Sequence, residues 1–563
     1  MSSLIERSFF NCNQLPKADE PLVTESPSPE SNVECYPLTL TPGLSRLFLD
    51  FSSNAAAVRA FYASLPGDER MLARPAAPSH WPELVRQLAE QNPQPGAAPA
   101  LAALVGGAGI AVTGQQVGLF GGPLFTPFKA ATAIARARRA SELGSAHAAV
   151  FWLATEDHDF AEIENAQFPA GREMVKLACE RSPTAPVPVG RIEFDESIGP
   201  LAERAAELLG PSGATDALVA AYKPGRTFAQ AFADFYRAVF AAQGLLLLDA
   251  SSPDLHHLGA PVLRAAIERA DEFHAALTER NAALEAAGYH AQVVVAPGSS
   301  LVFLIDEESG ARVALKRTAP TATEPNGLWT AGKQSYSTND LVGILDAQPE
   351  RISPNALLRP VFQDFLLSSS LFIGGPSEIA YLAQSGVLYE RILGRQTPLE
   401  SRLSATLIEP AVAKLLRKHE LTLDRIYGED AASLAQILAA RSMPIETKQK
   451  LAAAGNALDA ELAVLVDWLK AQDAGLGNSA ETAANKMLYQ MNRLRTMAAN
   501  FQLQRETTLT KHAETLTTAI FPGGPQERVH GAAYYLARYG AHLVETLTTQ
   551  AADSCPGHLA IWL

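Results

Sequence analysis

Residues 111–139 read AVTGQQVGLFGGPLFTPFKAATAIARARR, and the fold turns on how this stretch is parsed. The apolar run ending at Val112 fits a buried strand, Pro123 suits the first turn of a helix, and the tail from Thr126 is rich in Ala, Lys and Arg. The intervening loop therefore lies at a strand-to-helix corner. It contributes Thr113, Gly114, Gln115, Gln116, Gly118, Gly121 and Gly122. Glycines let the backbone approach a ligand closely, and free amides at a helix start present partial positive charge to an anion. No Lys-Ser or Lys-Thr follows the glycines, so this is not a Walker loop, and the glycine spacing is not the dinucleotide fingerprint. Lys129, one to two turns into the helix, can reach back toward a bound phosphate or carboxylate. The plain alternative is a surface lysine beside a tight corner.

Outward from this corner, residues 100 to 400 alternate short apolar runs (AAVFWLAT, GLLLLDA, SSSLFIGG) with Ala-rich helical stretches. That alternation predicts a parallel sheet covered by helices. AQVVVAP and SLVFLIDEESGARVALKR differ, because two strand-like runs meet at a turn at Ser309-Gly310, which predicts a small antiparallel insert over about 285–340. Beyond residue 400 the texture becomes helical. Leu458, Leu462, Leu465 and Leu469, and then Met487, Met491, Leu494, Ala498 and Phe501, mark an apolar stripe, with DAGLGNS (473–479) read as the turn of an antiparallel hairpin. Residues 480–519 contain no Gly or Pro, which predicts a helix long enough to meet another copy of itself; packing back on its own chain is the alternative. The resulting division is 1–395 for the core, 396–520 for the helical unit and 521–563 for a segment returning to the core. Residues 11–34, rich in Pro, Ser and Glu, read as a flexible arm.

At 563 residues the chain is too long for one core, and two to four domains are expected. A net charge of −14 and a pI near 5.4 argue against non-specific binding of nucleic acid or anionic lipid. Cys12, Cys35, Cys179 and Cys555 stand far apart with no metal spacing, and the start MSSLIERSFF lacks the pattern of a secretory signal. A cytoplasmic, reduced protein is expected. No run of about 18 residues is continuously apolar, which argues against a membrane span.

Two further elements carry chemistry. In FWLATEDHDFAEI, Glu156, Asp157, His158 and Asp159 follow an apolar run directly, and ligands gather at the carboxyl ends of strands in open α/β sheets. His158 is the candidate general base, oriented by Asp157 or Asp159, while the carboxylates suit an amine or a magnesium ion. His158 and Glu162 have the spacing of a metal pair, but three carboxylates and one histidine make a poor zinc site, and Asp157 also reads as a helix cap. No resident metal is assigned. The other element, LLRPVFQDFLLSSSLFIGGPSEIAYLAQSG, repeats the strand-corner-helix design with Gly374, Gly375, Glu378 and Tyr381. Arg359 upstream is a candidate anion clamp, with a core salt bridge as its alternative. A further Gly-Gly-Pro precedes QERVHGAAYYLARYG.

Taken together, TGQQVGLFGGPLFTPFKA, FWLATEDHDFAEI, LLRPVFQDF, FIGGPSEIAYLAQ and the QERV…YYLARYG ending resemble, in order and over nearly the whole chain, the BshC family of bacillithiol-pathway cysteine ligases. Two departures stand out: Val117 where the family often has Pro, and Phe125 where it often has Tyr. The resemblance implies a Rossmann-like parallel-sheet core with connecting-peptide insertions, plus an all-α antiparallel coiled-coil domain through which the family dimerises. It implies that L-cysteine is joined to the amine of glucosaminyl malate, the last step in making a low-molecular-weight thiol. Amide formation from a free carboxylate is uphill, so ATP or another nucleotide is the expected activator, with Mg2+ left open beside it. Under this reading Lys129 supplies positive charge, and His158 with its acidic neighbours takes the amine proton. A nucleotidyltransferase-like enzyme on another substrate and a non-catalytic nucleotide-binding scaffold are the competing readings.

Overall fold

The computed structural model describes residues 33–63, 73–180, 182–249, 251–318, 327–552 and 555–563. Of the expected arm only Val33 and Glu34 fall within these, and they open a strand, Val33–Tyr36; the remainder lies outside the described residues.

The core is a five-stranded sheet of β1 (Gly109–Gln115), β2 (His147–Leu153), β3 (Leu246–Asp249), β4 (Leu371–Gly374) and β5 (Leu399–Ser401). The spatial order is β5-β4-β1-β2-β3 and every pairing is parallel. Successive side chains on a strand point to opposite faces, so each strand feeds two cores. Ala111, Phe151, Leu153, Leu247 and Ile373 join helix α1 (Phe125–Glu142) and the helix Ala532–Ala552 on one face. Ile110, Val112, Val150, Trp152 and Leu248 join α2 (Pro376–Leu393) and the helices Pro253–Glu268 and Arg359–Leu367 on the other. The Rossmann-like expectation holds. The chain lays β1, β2 and β3 outward, then returns to place β4 on the far side of β1. Strand order reverses there, so the carboxyl ends of β1 and β4 open into a crevice.

A second, antiparallel sheet is built from Ser299–Ile305, Arg312–Arg317, Trp329–Ala331, Gln334–Tyr336 and Ile352–Pro354, the last pairing with the first beyond residue 340. The helical unit contains the hairpin of α3 (Ile445–Gln472) and α4 (Ala474–Arg505). The turn is tighter than the glycines suggest: Asp473 alone breaks the helix, capping α4 by accepting the Leu476 N–H at 2.9 Å, and residues 474–479 are helical. The long Gly- and Pro-free run is also broken, at Glu506, before Thr507–Ile520.

The expectation of reduced cysteines is corrected by the chain ends. Val33–Tyr36 pairs antiparallel with His558–Trp562, which pairs parallel with Ala405–Ile408, and Cys35 is disulfide-bonded to Cys555 with Cα atoms 6.3 Å apart. A sequence separation of 520 hides this pair from any spacing argument. Cys179 is a free thiol whose pKa burial pushes up to about 12. Among the described residues no helix is long and apolar enough to cross a membrane.

The corner after β1 turns through three consecutive positive-φ residues, Phe120 (50°), Gly121 (84°) and Gly122 (71°). A Cβ on Gly121 would sit 2.7 Å from a ring carbon of Phe235. Gly121→Ala is therefore expected to cost about 1–3 kcal/mol from backbone strain alone, with overlap adding to it. Calorimetric melting should show a lower Tm, and an unchanged Tm would contradict this geometry.

Candidate active site

The crevice at the switch point is a cleft of about 960 Å³. Its wall includes Gly114, Gln115 and Gln116 at the carboxyl end of β1, Glu156, Asp157 and His158 after β2, and Gly375 and Glu378 after β4, together with Lys129, Arg359 and Tyr381. Three segments, the last more than two hundred residues from the other two, thus share one cavity.

Not every residue of the opening loop reaches it. The Thr113 hydroxyl is spent inside the sheet, donating to the Ile373 carbonyl at 2.9 Å. Gly118, Gly121 and Gly122 face the helical layer, not a ligand. The Gly121 N–H donates to the Tyr222 hydroxyl at 3.0 Å, that hydroxyl donates to the Gly118 carbonyl at 3.3 Å, and Tyr236 donates to the Gly121 carbonyl at 2.9 Å. The start of α1 is equally occupied: the Leu124 N–H donates to the His530 carbonyl at 2.7 Å and Ala532 N–H to Gly122 at 2.8 Å. The reading of this corner as a cradle of free amides is corrected, because Tyr222, Tyr236 and the returning segment at His530–Ala532 fill it. Gly374 and Asp159 also lie outside the cleft lining, Asp159 being exposed at the start of Phe160–Ile163.

Lys129 does reach back, but to the protein. Only 3% exposed, its ammonium donates to the Gly114 carbonyl at 2.7 Å and Gln115 Oε1 at 2.9 Å and pairs with Glu378, which uses all three of its protons. Burial draws its pKa below the ordinary lysine value, with Glu378 opposing. Glu378 also caps α2 by accepting the Gly375 N–H at 2.8 Å. Arg359 donates to the Tyr381 hydroxyl at 2.6 Å and lies 3.9 Å from Glu378. Burial pushes the Tyr381 hydroxyl up to about 12, so it stays protonated. Phe125 keeps its aromatic role without a hydroxyl: Arg402 stands 5.1 Å and Lys129 5.9 Å over its ring. Val117 is fully buried.

Asp157 accepts the Gln116 side-chain amide at 2.7 Å and the N–H groups of His158 (2.7 Å) and Asp159 (3.3 Å), so it braces the loop. It does not orient the His158 ring, whose Nδ1 is 3.8 Å from Asp157 Oδ1 and 3.1 Å from a guanidinium nitrogen of Arg312. The assignment of an acidic neighbour as the ring's orienter is corrected.

Four groups escaped the sequence reading. Arg312 comes from the antiparallel insert and is buried. Arg402 and Glu527 form a bidentate pair at 2.8 and 3.0 Å, both almost fully buried at the cleft wall. His256 binds Glu156 at 2.7 Å; burial lowers its pKa, but Glu156 outweighs this and holds it above the usual histidine value. Glu527 stood inside the quoted QERV block, and only its partner's position gives it meaning.

The cleft is of mixed sign. Lys129, Arg312, Arg359, Arg402 and Arg528 stand among Glu156, Asp157, Glu162, Glu378 and Glu527. Toward a phosphate oxygen the cleft offers Arg359 and Arg402, whose Nε is buried without a hydrogen-bond partner in the protein. Among the described residues no group of three or more His, Cys, Asp or Glu converges as a metal site.

Comparison with known proteins agrees with this architecture. Residues 32–402 match the family model "Bacillithiol biosynthesis BshC, N-terminal Rossmann-like domain" and residues 405–561 the model for its "C-terminal coiled-coil domain". A Koribacter versatilis protein named "Putative cysteine ligase BshC" is 40% identical over 94% of this chain and 99% of its own length. Proteins of the same name from Solibacter usitatus (33% identical; 92% and 97% covered) and Thermus thermophilus (30%; 81% and 88%) are also similar.

Proposed function

This chain belongs to the BshC family of bacillithiol biosynthesis, and from that premise we propose that it joins the carboxyl of L-cysteine to the amine of glucosaminyl malate, after activation of that carboxyl by a nucleotide. The observation that carries the reading is the mixed charge of a single cleft. Cysteine is a zwitterion and glucosaminyl malate couples an amine to two carboxylates, so each substrate needs cations and anions within a few ångströms. Arg359 and Arg402 are the cations for carboxylate or phosphate oxygens. Glu156 and Asp157, which line the same cleft, receive an ammonium and the proton it sheds. A bound nucleoside triphosphate supplies the leaving group; the chain's own residues align carboxyl and amine and exclude water. Pure protein given cysteine, glucosaminyl malate and ATP should yield bacillithiol by mass spectrometry, and no product with any nucleoside triphosphate would overturn the assignment.

The reading includes a cytoplasmic homodimer built on the hairpin. At about 1.5 Å per residue the 28-residue α3 reaches roughly 40 Å, and Leu465, Trp468, Met487, Leu494, Met497 and Phe501 are each more than half exposed along the hairpin. An apolar seam with four-three spacing is complementary to another of the same spacing, which a second copy supplies. Leu494→Glu should convert a dimer to a monomer by light scattering; an unchanged mass would refute the seam.

A further inference from the structure

The ring of His158 is held by a cation instead of a carboxylate, and this determines what the ring can do. Arg312 is fixed on every side. Its Nε donates to Ser353 Oγ at 2.9 Å, one terminal nitrogen donates to the Pro354 carbonyl at 2.7 Å, and its backbone N–H donates to the Pro186 carbonyl at 2.8 Å. Its guanidinium carbon lies 3.8 Å over the Phe303 ring, which also packs 5.5 Å from the His158 ring. The remaining terminal nitrogen points at His158 Nδ1, 3.1 Å away. A guanidinium has five donors and no acceptor and stays protonated. Nδ1 must therefore be the acceptor, and a neutral imidazole that accepts at Nδ1 carries its proton at Nε2.

We propose that Arg312 is a positioning residue that locks His158 as its Nε2–H form, so that His158 donates a hydrogen bond to an anionic oxygen of the substrate and is not the base that removes the amine proton. The inference rests on reading the cleft as the ligase site. The charged groups facing the ring are Arg312, Asp157 and Asp159. Burial, then Arg312, hold the ring below the ordinary histidine pKa against both aspartates, so it remains neutral near pH 7. Asp157 cannot reverse the arrangement, because its Oδ1 is already taken by two backbone N–H groups. With the Nε2 lone pair absent, proton removal falls to Glu156 or Asp157, while His158 lines the same cleft as Arg359 and Arg402, the cations proposed for carboxylate or phosphate oxygens.

The test does not depend on turnover. Nitrogen-15 NMR of the full chain labelled at histidine, with His158 assigned by the signals lost in His158→Gln, should show Nδ1 unprotonated and Nε2 protonated at pH 7. In Arg312→Met the Nδ1 signal should move toward the tautomer average and the titration midpoint should rise. Arg312→Lys, which keeps charge and one donor, should restore much of the wild-type pattern and covers the case in which the Met variant does not fold. A protonated Nδ1 in the wild type, or a pattern indifferent to Arg312, would overturn the proposal even if the protein proves to be a ligase. In the ligase assay, His158→Gln keeps a donor near the Nε2 position but no base. It should retain at least about tenfold more activity than His158→Ala, and equal loss would restore the base.

Discussion

Lys129→Met should lower kcat/KM about a hundredfold, the effect of misplacing a site by about an ångström, and should destabilise the protein as well. The two losses have separate origins. The ammonium ties the Gly114 carbonyl and the Gln115 side chain to Glu378, joining the ends of β1 and β4 across the switch point. Without it Glu378 keeps the Gly375 N–H and a guanidinium 3.9 Å away, inside a buried setting. Breaking a buried pair by removing one partner costs about 3–5 kcal/mol. Adding Glu378→Gln removes the stranded charge and should return most of the stability without returning activity, because the Gly114 carbonyl and the Gln115 side chain still lack their tie to α2. Denaturant midpoints and steady-state rates for both single variants and the pair would decide. If the pair recovered stability and activity together, Lys129 would be a structural ion pair and nothing more.

The second large effect concerns Glu527. Glu527→Gln strands Arg402 in the cleft wall and should cost about 3–5 kcal/mol, since the carboxylate also accepts the Ala405 N–H at 3.1 Å. Its pH dependence follows from the same contacts. Burial alone would raise this carboxyl's pKa, but Arg402 overcomes that and holds it below the ordinary value. A carboxyl depressed in the folded state contributes its full stability above the unfolded pKa and loses it as pH falls through the folded one. Wild-type stability should thus fall on acidification below the usual glutamate range, and Glu527→Gln should flatten that part of the curve. Parallel acid-unfolding profiles for the two proteins would exclude the pair as their source.

How far the sequence could be read is clear from particular residues. The parallel core was legible because β1, β2 and β3 are buried on both faces and appear as apolar runs, and the acidic cluster was legible because it follows one of them directly. The amide cradle was misread for a physical reason: Tyr222, Tyr236 and His530, up to about 400 positions away, satisfy the groups that local sequence leaves open. Arg312 was invisible because an arginine opening an alternating strand looks like a solvent-facing charge; only the fold, which lays Pro186 and Ser353 beside it, shows that it is buried. The hairpin stripe was readable, while its end at Glu506 was not, as no breaker residue marks it.

The small sheet that joins Val33–Tyr36, His558–Trp562 and Ala405–Ile408 has a consequence for biogenesis. Its middle member is the last of the three to leave the ribosome, so neither the opening strand nor Ala405–Ile408 has this partner until residues 558–562 have emerged. Assembly of this seam accordingly waits on that strand: a nascent chain halted before residue 558 should expose both orphan edges to proteases and holdase chaperones, however well the first four hundred residues have already condensed.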